Sequence, residues 1–293
     1  MNHAEPSPVV PGVRPIGVPG WVHARPRESQ TFREFYSQLF SWEWRTVAGS
    51  VPGEQRFIAS SHRRPVASIS SGPQEVTGAT NDIPTRWSVC FTSNDLRETT
   101  QKILTAGGST VCQDSVAREP HQLLVAEARD SNGGLFTVLS EASIPPDSAP
   151  AGPAAVTWAE LVTKDVHRST EFYEEVFDLG DMGLDGVNAG YQTLTKDDQS
   201  WAGVVDVSQR FPNGLSTIQG NPAPQWVPWF GVTDLHESVA IVTKLGGRVV
   251  LDPLELMPGL ALCVVQGLEG ELFTLHEEDF GPGPDATAAA IEH

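Results

Sequence analysis

Three ionisable residues stand in segments of strand composition, where their side chains could face a bound small molecule. They are His23, Glu160 and His276. Glu160 lies between Trp158 and Leu161, so a carboxylate there would be desolvated and suited to proton abstraction. His23 holds the matching place in the first half of the chain, and imidazole is a common general acid or base near neutral pH. Proton transfer is therefore the chemistry that these residues suggest.

Each of the three residues also has a structural interpretation. Glu160 could pair with an arginine from a neighbouring strand, and His23 could be a hydrogen-bonded residue of the interior. His276 precedes Glu277 and Glu278 at a strand end, which favours exposure to solvent. The sequence leaves these alternatives open.

The elements that must position these side chains occur twice. Aromatic, acidic and glycine residues of the first half recur in the second half at a spacing of 137 or 139 residues. The recurring pairs are Trp21 and Trp158, Phe35 and Phe172, Tyr36 and Tyr173, Phe40 and Phe177, Trp87 and Trp226, Phe91 and Phe230, Asp95 and Asp234, Gly107 and Gly246, Gly108 and Gly247, Phe136 and Phe273, and Thr137 and Thr274. A fixed internal period of this kind indicates a duplicated architecture.

Composition limits the classes of function. A length of 293 residues predicts about two domains, in agreement with the repeat. The formal net charge of −18 argues against nucleic acid and anionic membrane surfaces as partners. Three scattered cysteines are too few for a disulfide framework or a zinc site. No apolar run approaches the roughly 18 residues of a membrane helix, and no secretory signal is visible, so we predict a cytoplasmic protein.

Stretches rich in Pro and Gly divide the chain into two domains. The predicted segments are a disordered N-terminal arm at 1–17, a first domain at 18–142, a Pro-rich linker at 143–153, a second domain at 154–278 and a disordered tail at 279–293. In the second domain, residues 156–163 have strand composition and Asp165 starts a helix. Strands follow at 191–195 and 202–207. The same order recurs, so we predict four βαβββ units, although the first copy lacks a clear counterpart of the strand at Tyr191.

Several of these segments resemble the vicinal oxygen chelate superfamily, which includes glyoxalases, bleomycin-resistance proteins and ring-cleaving dioxygenases. They are Trp158-Ala-Glu-Leu-Val-Thr-Lys-Asp165, Phe172-Tyr-Glu-Glu-Val-Phe177, Trp226-Val-Pro-Trp-Phe-Gly-Val-Thr-Asp234, Gly246-Gly247 and Gly270-Glu-Leu-Phe-Thr-Leu275. The chain looks most similar to tandem glyoxalase-like "hydroxylase" proteins of actinomycetes. The resemblance implies an α+β fold of two tandem glyoxalase-like domains, whose paired units curl their sheets into ligand-binding cups. It does not give the function, because members of this superfamily differ in activity.

The resemblance also implies where a metal would bind. Metal-dependent members place one ligand seven residues before the acidic residue that opens a helix, and a second ligand on the last strand. Those positions here are Trp21, Ser88, Trp158, Val227, Thr137 and Thr274. Indole, isopropyl and single hydroxyl groups are poor ligands for zinc, nickel or iron. We therefore predict no metal and no other cofactor.

Alternation along the strands predicts which side chains line the cups, because successive residues of a strand face opposite ways. The predicted ligand-binding residues are Trp21, Trp158, Ser88, Cys90, Thr137, Val227, Trp229, Thr274 and His276. Indole faces favour flat aromatic or cationic ligands. Trp21 and Trp158 could instead fill the cups as core residues. Cys90 has no visible basic partner, and buried cysteines are usually inert.

Three functions remain open at this stage. The first is metal-free binding of a planar or aromatic small molecule, in specialised metabolism or antibiotic self-resistance. The second is a cofactor-independent enzyme of natural-product biosynthesis that uses Glu160 or His23 for a cyclisation, isomerisation or elimination. The third is a metal enzyme with the displaced ligands His23, Glu160 and His276. We expect the second copy to hold the working cup, and the chain to be a monomer that mimics a dimer, or a homodimer.

Overall fold

The computed structural model describes residues 14–49, 53–72, 85–112, 125–145, 148, 152–183, 190–207 and 224–280. The disorder predicted for residues 1–13 and 281–293 lies outside these ranges. The division of the chain into an arm, two domains, a linker and a tail stays a prediction. In the described residues, no helix has the length and apolar character needed to cross a membrane.

The described residues form four βαβββ units, as the repeat predicts. The first copy contains β1 (Pro19–Ala24), α1 (Ser29–Phe40), β2 (Glu43–Ala48), β3 (Gln55–Ser61), β4 (Arg64–Ser71), β5 (Trp87–Ser93), α2 (Leu96–Thr105), β6 (Ser109–Cys112), β7 (Val125–Arg129) and β8 (Leu135–Ser140). The second copy contains β9 (Val156–Thr163), α3 (Val166–Phe177), β10 (Gly180–Gly183), β11 (Tyr191–Lys196), β12 (Gln199–Asp206), β13 (Gln225–Val232), α4 (Leu235–Lys244), β14 (Arg248–Met257), β15 (Leu260–Gln266) and β16 (Leu272–Glu277). A 3₁₀ turn at Glu141–Ser143 follows β8.

Aspartate caps fix the start of three of these helices. The carboxylates of Asp95, Asp165 and Asp234 each accept a hydrogen bond from the backbone N–H three residues on, which satisfies one of the free donors of the first turn. Helix α1 differs, because Glu28 makes no such bond. Instead Glu269 of the second copy accepts hydrogen bonds from the backbone N–H groups of Arg27 and Glu28, both at 2.8 Å. The start of α1 is therefore held by the other copy.

Each copy pairs the strands of its two consecutive units, and β8 and β13 join the strands of the two copies into one continuous sheet. In the first copy the strand order is β2-β3-β4-β1-β5-β8-β7-β6, and in the second it is β10-β11-β12-β9-β13-β16-β15-β14. The first strands of paired units run antiparallel, β1 with β5 and β9 with β13. The expectation that the first copy lacks a counterpart of the Tyr191 strand is wrong, since β3 pairs with β4 as β11 pairs with β12.

The helices of the two copies share one aromatic core. Phe91 of β5 stacks on Phe177 of α3 with ring centroids 4.7 Å apart, and Phe40 of α1 contacts Phe230 of β13 at 5.0 Å. Both contacts join residues of different copies, and aromatic pairs at these separations add to the energy of burial. The two copies consequently fold around a common interior, and the face of each sheet that points away from the helices remains for a ligand.

Two buried hydrogen-bond chains cross this core in matching positions. Trp87 Nε1 donates to the hydroxyl of Tyr36 at 2.7 Å, and that hydroxyl donates to Glu271 Oε1 at 3.0 Å. In the other half, Trp226 Nε1 donates to Tyr173, and Tyr173 donates to a carboxylate oxygen of Asp130. Each tyrosine thus meets a carboxylate of the other copy.

Candidate functional site

The inner face of each sheet, turned away from the helices, is the candidate site of that copy. We call these faces the first cup and the second cup. In the second cup, Glu160 lies opposite Val227 on β13 and Gly203 on β12. Trp229 lies opposite Trp158 and Thr274. Strand pairing therefore brings Glu160 and the two tryptophans onto one surface.

An apolar wall occupies one side of the second cup. Four buried valines pack together on β9, β12, β13 and β15, with Tyr191 and Leu272 partly buried against them. The valines are Val162, Val205, Val227 and Val264. Such a wall excludes water and favours apolar ligand surface.

Glu160 is buried where this wall ends. Its side chain is 3% exposed, although it carries a carboxylate. Gly203 permits the close packing there, because a Cβ atom at Gly203 would lie 3.1 Å from Glu160 Cγ and would collide with the hydroxyl of Tyr191. The hydroxyl of Tyr191 therefore lies over Gly203 beside the side chain of Glu160. A buried carboxylate next to a phenol is an arrangement that can move a proton.

The two tryptophans of the second cup differ in exposure. Trp229 is 5% exposed and its ring lies 5.9 Å from that of His276. Trp158 is only partly buried, as is Tyr191. Of the two tryptophans, Trp158 is thus the one that a ligand could stack on.

His276 is buried, so the expectation that it is exposed to solvent is wrong. It is 7% exposed and lies between Gly231 and Leu262 of the neighbouring strands. Its Nε2 atom lies 2.5 Å from Thr157 Oγ1. Burial lowers the pKa of His276 to about 4, so the ring is neutral at neutral pH.

Trp21 closes the centre of the first cup. It is 1% exposed and packs against Ile58, Cys90 and Leu139. Its Nε1 atom donates to Ser68 Oγ at 2.9 Å. The interpretation of Trp21 as a core residue therefore fits its surroundings, whereas Trp158 at the matching position is partly open.

His23 shares Ser68 with Trp21. His23 Nδ1 lies 2.9 Å from Ser68 Oγ, and because Trp21 already donates to that oxygen, we assign the serine proton to the bond with His23. Burial, together with the nearby guanidinium groups of Arg56 and Arg25, holds the pKa of His23 well below its usual value. His23 is accordingly a neutral, hydrogen-bonded side chain of the first cup.

Cys90 has the surroundings of an inert thiol. It is fully buried, and burial raises its pKa well above the usual range despite the nearby Arg56. The thiolate is the reactive form of cysteine, so this environment opposes nucleophilic chemistry.

The positions implied for metal ligands do not suit a metal in either cup. In the first cup Ser88 Oγ and Thr137 Oγ1 lie 2.7 Å apart and hydrogen-bond to each other. The residues of the second cup that correspond to Trp21, Ser88 and Thr137 are Trp158, Val227 and Thr274. Indole, isopropyl and neutral hydroxyl groups lack the imidazole, carboxylate or thiolate donors that zinc and iron prefer.

The displaced ligand set is not assembled either. His23 lies in the first cup, whereas Glu160 and His276 lie in the second. In the part of the chain that the structure describes, no three His, Cys, Asp or Glu residues are grouped so that they could hold a metal ion.

Sequence reasoning missed Tyr191, Gly203 and Arg56. Alternation along β11 and β12 could have placed Tyr191 and Gly203 beside Glu160, since both strands were identified. Arg56 lies on β3, a strand that the sequence did not reveal.

Comparisons with known proteins show what this chain is similar to. No protein-family model matches it. It is 25% identical over 254 residues to the anthracycline biosynthesis protein DauV of Streptomyces sp. (strain C5), covering 83% of this chain and 87% of the relative. It is 24% identical over 256 residues to the anthracycline biosynthesis protein DnrV of Streptomyces peucetius, with the same coverage of 83% and 87%.

Solved structures extend the similarity to the fold. The Mn(II)-bound glyoxalase of Novosphingobium aromaticivorans superposes with a TM-score of 0.59 at 10% identity, over 90% of this chain and 82% of that one. The 2,3-dioxygenase LapB of Pseudomonas sp. KL28 gives 0.56 at 12% identity, over 92% and 96%. A variant of 4-hydroxymandelate synthase from Streptomyces coelicolor gives 0.57 at 12% identity, over 94% and 96%. The predicted α+β vicinal oxygen chelate fold is confirmed.

Proposed function

We propose that the second cup binds a planar aromatic small molecule without a metal, in the biosynthesis of a polycyclic natural product of the anthracycline type or in self-resistance to it. The names of the two Streptomyces relatives support the class of metabolite. The observation that carries the proposal is the contrast between two matching tryptophans. Trp21 is buried at the centre of the first cup, whereas Trp158 is only partly buried and lies beside an apolar wall.

The lining of the second cup fits such a ligand. A flat polycyclic ring system offers a large apolar face to the four valines and a π-face to Trp158. The hydroxyl and carbonyl groups at its edge would reach Glu160 and Tyr191 and be oriented by them. A site with an apolar wall and a few convergent polar groups is the usual form of a small-molecule pocket.

Replacing Trp158 with phenylalanine is expected to weaken the binding of a tetracyclic anthraquinone aglycone by about 2- to 10-fold, because a smaller ring loses part of a stacking contact worth about 0.5–1.5 kcal/mol. The measurement is a titration that follows the intrinsic fluorescence of the aglycone. Trp21→Phe is the matched control and is expected to leave the affinity unchanged. Chelation with EDTA is expected to have no effect on binding.

If Trp21→Phe weakened the binding of the aglycone and Trp158→Phe did not, the aromatic site would lie in the first cup. If the wild-type protein did not bind the aglycone, or bound it only with added metal, the proposal would be wrong.

A second candidate function is catalysis in the same cup, with Glu160 as the general base. It is favoured by the burial of that carboxylate next to the hydroxyl of Tyr191. The protein would then hold the ring system against the apolar wall, and Glu160 would take a proton from a carbon acid or hydroxyl of the substrate.

Glu160→Gln is expected to keep the affinity for the aglycone within about 3-fold and to lower turnover of the substrate by about 10²- to 10⁴-fold, the usual contribution of a general base. Binding titration and product analysis by mass spectrometry measure the two quantities separately. Unchanged turnover in Glu160→Gln would exclude the carboxylate as the base. The absence of any turnover by the wild-type protein would leave binding as the function.

A further inference from the structure

The first cup contains a buried guanidinium group. Arg56 of β3 is 3% exposed, and its Nε atom has no hydrogen-bond partner among the residues that the structure describes. Glu54 is close enough for its charge to act on Arg56, but the described residues form no ion pair with this guanidinium. Burying an unpaired charge costs several kcal/mol unless a partner compensates for it. A counter-ion from outside the chain would provide that compensation.

Arg56 points into the cup rather than into the helical core. Its neighbours Phe57 and Ala59 belong to the core beneath the helices, whereas Ile58, on the same side as Arg56, packs against Trp21 in the first cup. Ser70 on β4 lies directly opposite Arg56. The electrostatic influence of Arg56 on His23 and on Cys90 agrees with this placement.

Strand pairing gives each first-cup residue a counterpart in the second cup. The matched pairs, first cup before second, are His23 and Glu160, Ser88 and Val227, Ser68 and Gly203, Ser70 and Val205, Arg56 and Tyr191, and Glu127 and Val264. The wall that is made of valines and a tyrosine in the second cup is therefore made of charged and hydroxyl side chains in the first. The two cups have the same strand pairing, but this wall is apolar in the second cup and polar in the first.

The positive charge of this polar wall exceeds its negative charge. Arg25 is balanced by Glu127, with 3.3 Å between Nη1 and Oε2. Within the described ranges Arg56 has no ion pair of this kind, although the charge of Glu54 acts on it, and burial keeps His23 neutral. The whole protein carries a net charge of −18, so its long-range field repels anions. An anion would therefore be held here by local contacts.

We propose that the first cup is a second ligand site, which takes the carboxylate group of a small organic acid. The planar guanidinium of Arg56 matches a carboxylate through two parallel N–H···O bonds. Ser70, opposite Arg56, supplies a hydroxyl donor. This site is separate from the aromatic site proposed for the second cup, and either can fail without the other.

Benzoate and its neutral isostere benzamide are the probes for this site. Benzoate is expected to raise the thermal unfolding midpoint of the wild-type protein and benzamide is not, because only the carboxylate can pair with Arg56. In Arg56→Met the affinity for benzoate, measured by calorimetric titration, is expected to fall by at least about tenfold. Arg64→Met, which removes an exposed guanidinium from the same strand pair, is expected to bind benzoate as the wild type does.

Two further variants keep the test decisive. Arg56→Lys retains the charge but not the planar fork, and it is expected to bind benzoate with intermediate affinity; it replaces Arg56→Met if that variant does not fold. Trp158→Phe is expected to keep the full benzoate response, which separates this site from the second cup. The proposal is overturned if wild-type protein does not distinguish benzoate from benzamide, or if the Arg56 variants bind benzoate as tightly as the wild type.

Discussion

Replacing Trp21 with alanine is expected to lower the free energy of unfolding by about 3–5 kcal/mol, the usual cost of removing a large aromatic side chain from a packed interior. Trp21 is 1% exposed and packs against Ile58, Cys90 and Leu139. The substitution would also remove the hydrogen bond of 2.9 Å that the indole N–H of Trp21 donates to Ser68 Oγ. Chemical denaturation monitored by circular dichroism measures the change.

Trp158→Ala is the matched comparison, because Trp158 holds the same place in the second cup. It is partly exposed, so it has less surface to lose from the interior, and we expect a cost of about 1–2 kcal/mol. Equal losses in the two variants would mean that Trp158 is also a core residue. The contrast between the two tryptophans would then no longer favour the second cup as the binding site. A small decrease in the free energy of unfolding of Trp21→Ala would show that this side chain is not packed into the centre of the first cup.

Local sequence signals predicted much of the fold. The strand at 156–163 and the helix that starts after Asp165 appear where they were expected, because alternation and an aspartate cap are both properties of a few neighbouring residues. The duplication predicted the number of units for a different reason. Matching aromatic residues such as Tyr36 and Tyr173 occupy equivalent places in one shared core.

The features that escaped prediction depend on the rest of the molecule. Strand β3 was not recognised because Arg56 and the polar residues around it interrupt the apolar pattern of a buried strand. The short strand β10 at Gly180–Gly183 has little β propensity and is held by its pairing with β11. The burial of His276 depends on its strand neighbours Gly231 and Leu262, which are distant from it in sequence.

The sequence predicted which residues share a face of a strand in the candidate site, but not which residues lie beside them on neighbouring strands. Alternation placed Trp158 and Glu160 on one face, and the structure pairs them with Trp229 and Val227. The difference between the cups arises instead from cross-strand partners such as Tyr191 and Arg56, whose positions require the register of β3 and β11. Register is set by the whole sheet, so short windows of sequence did not reveal it.

The carboxyl group of Glu271 makes the stability of the contact between the two copies depend on pH. Glu271 is 0% exposed and accepts hydrogen bonds from the hydroxyl of Tyr36 at 3.0 Å and from the backbone N–H of Glu269 at 3.0 Å. Despite these donors, burial raises the pKa of Glu271 from 4.5 to about 7. The folded protein therefore binds this proton more tightly than the unfolded chain does.

The contribution of Glu271 to stability is expected to be largest below pH 4.5 and to fall by about 3 kcal/mol as the pH rises to about 7. Over this range the carboxyl group of the unfolded chain loses its proton, whereas that of the folded protein keeps it. The measurement is the difference in the free energy of unfolding between wild type and Glu271→Gln at several pH values. This difference isolates Glu271 from the other carboxylates, among them Asp130, whose pKa burial also raises. Glu98→Gln, which makes the same replacement at a side chain that is 63% exposed, is the surface control. A flat curve for Glu271→Gln would show that the donors around this carboxylate offset its burial, and the junction between the copies would then lack the pH dependence inferred for it.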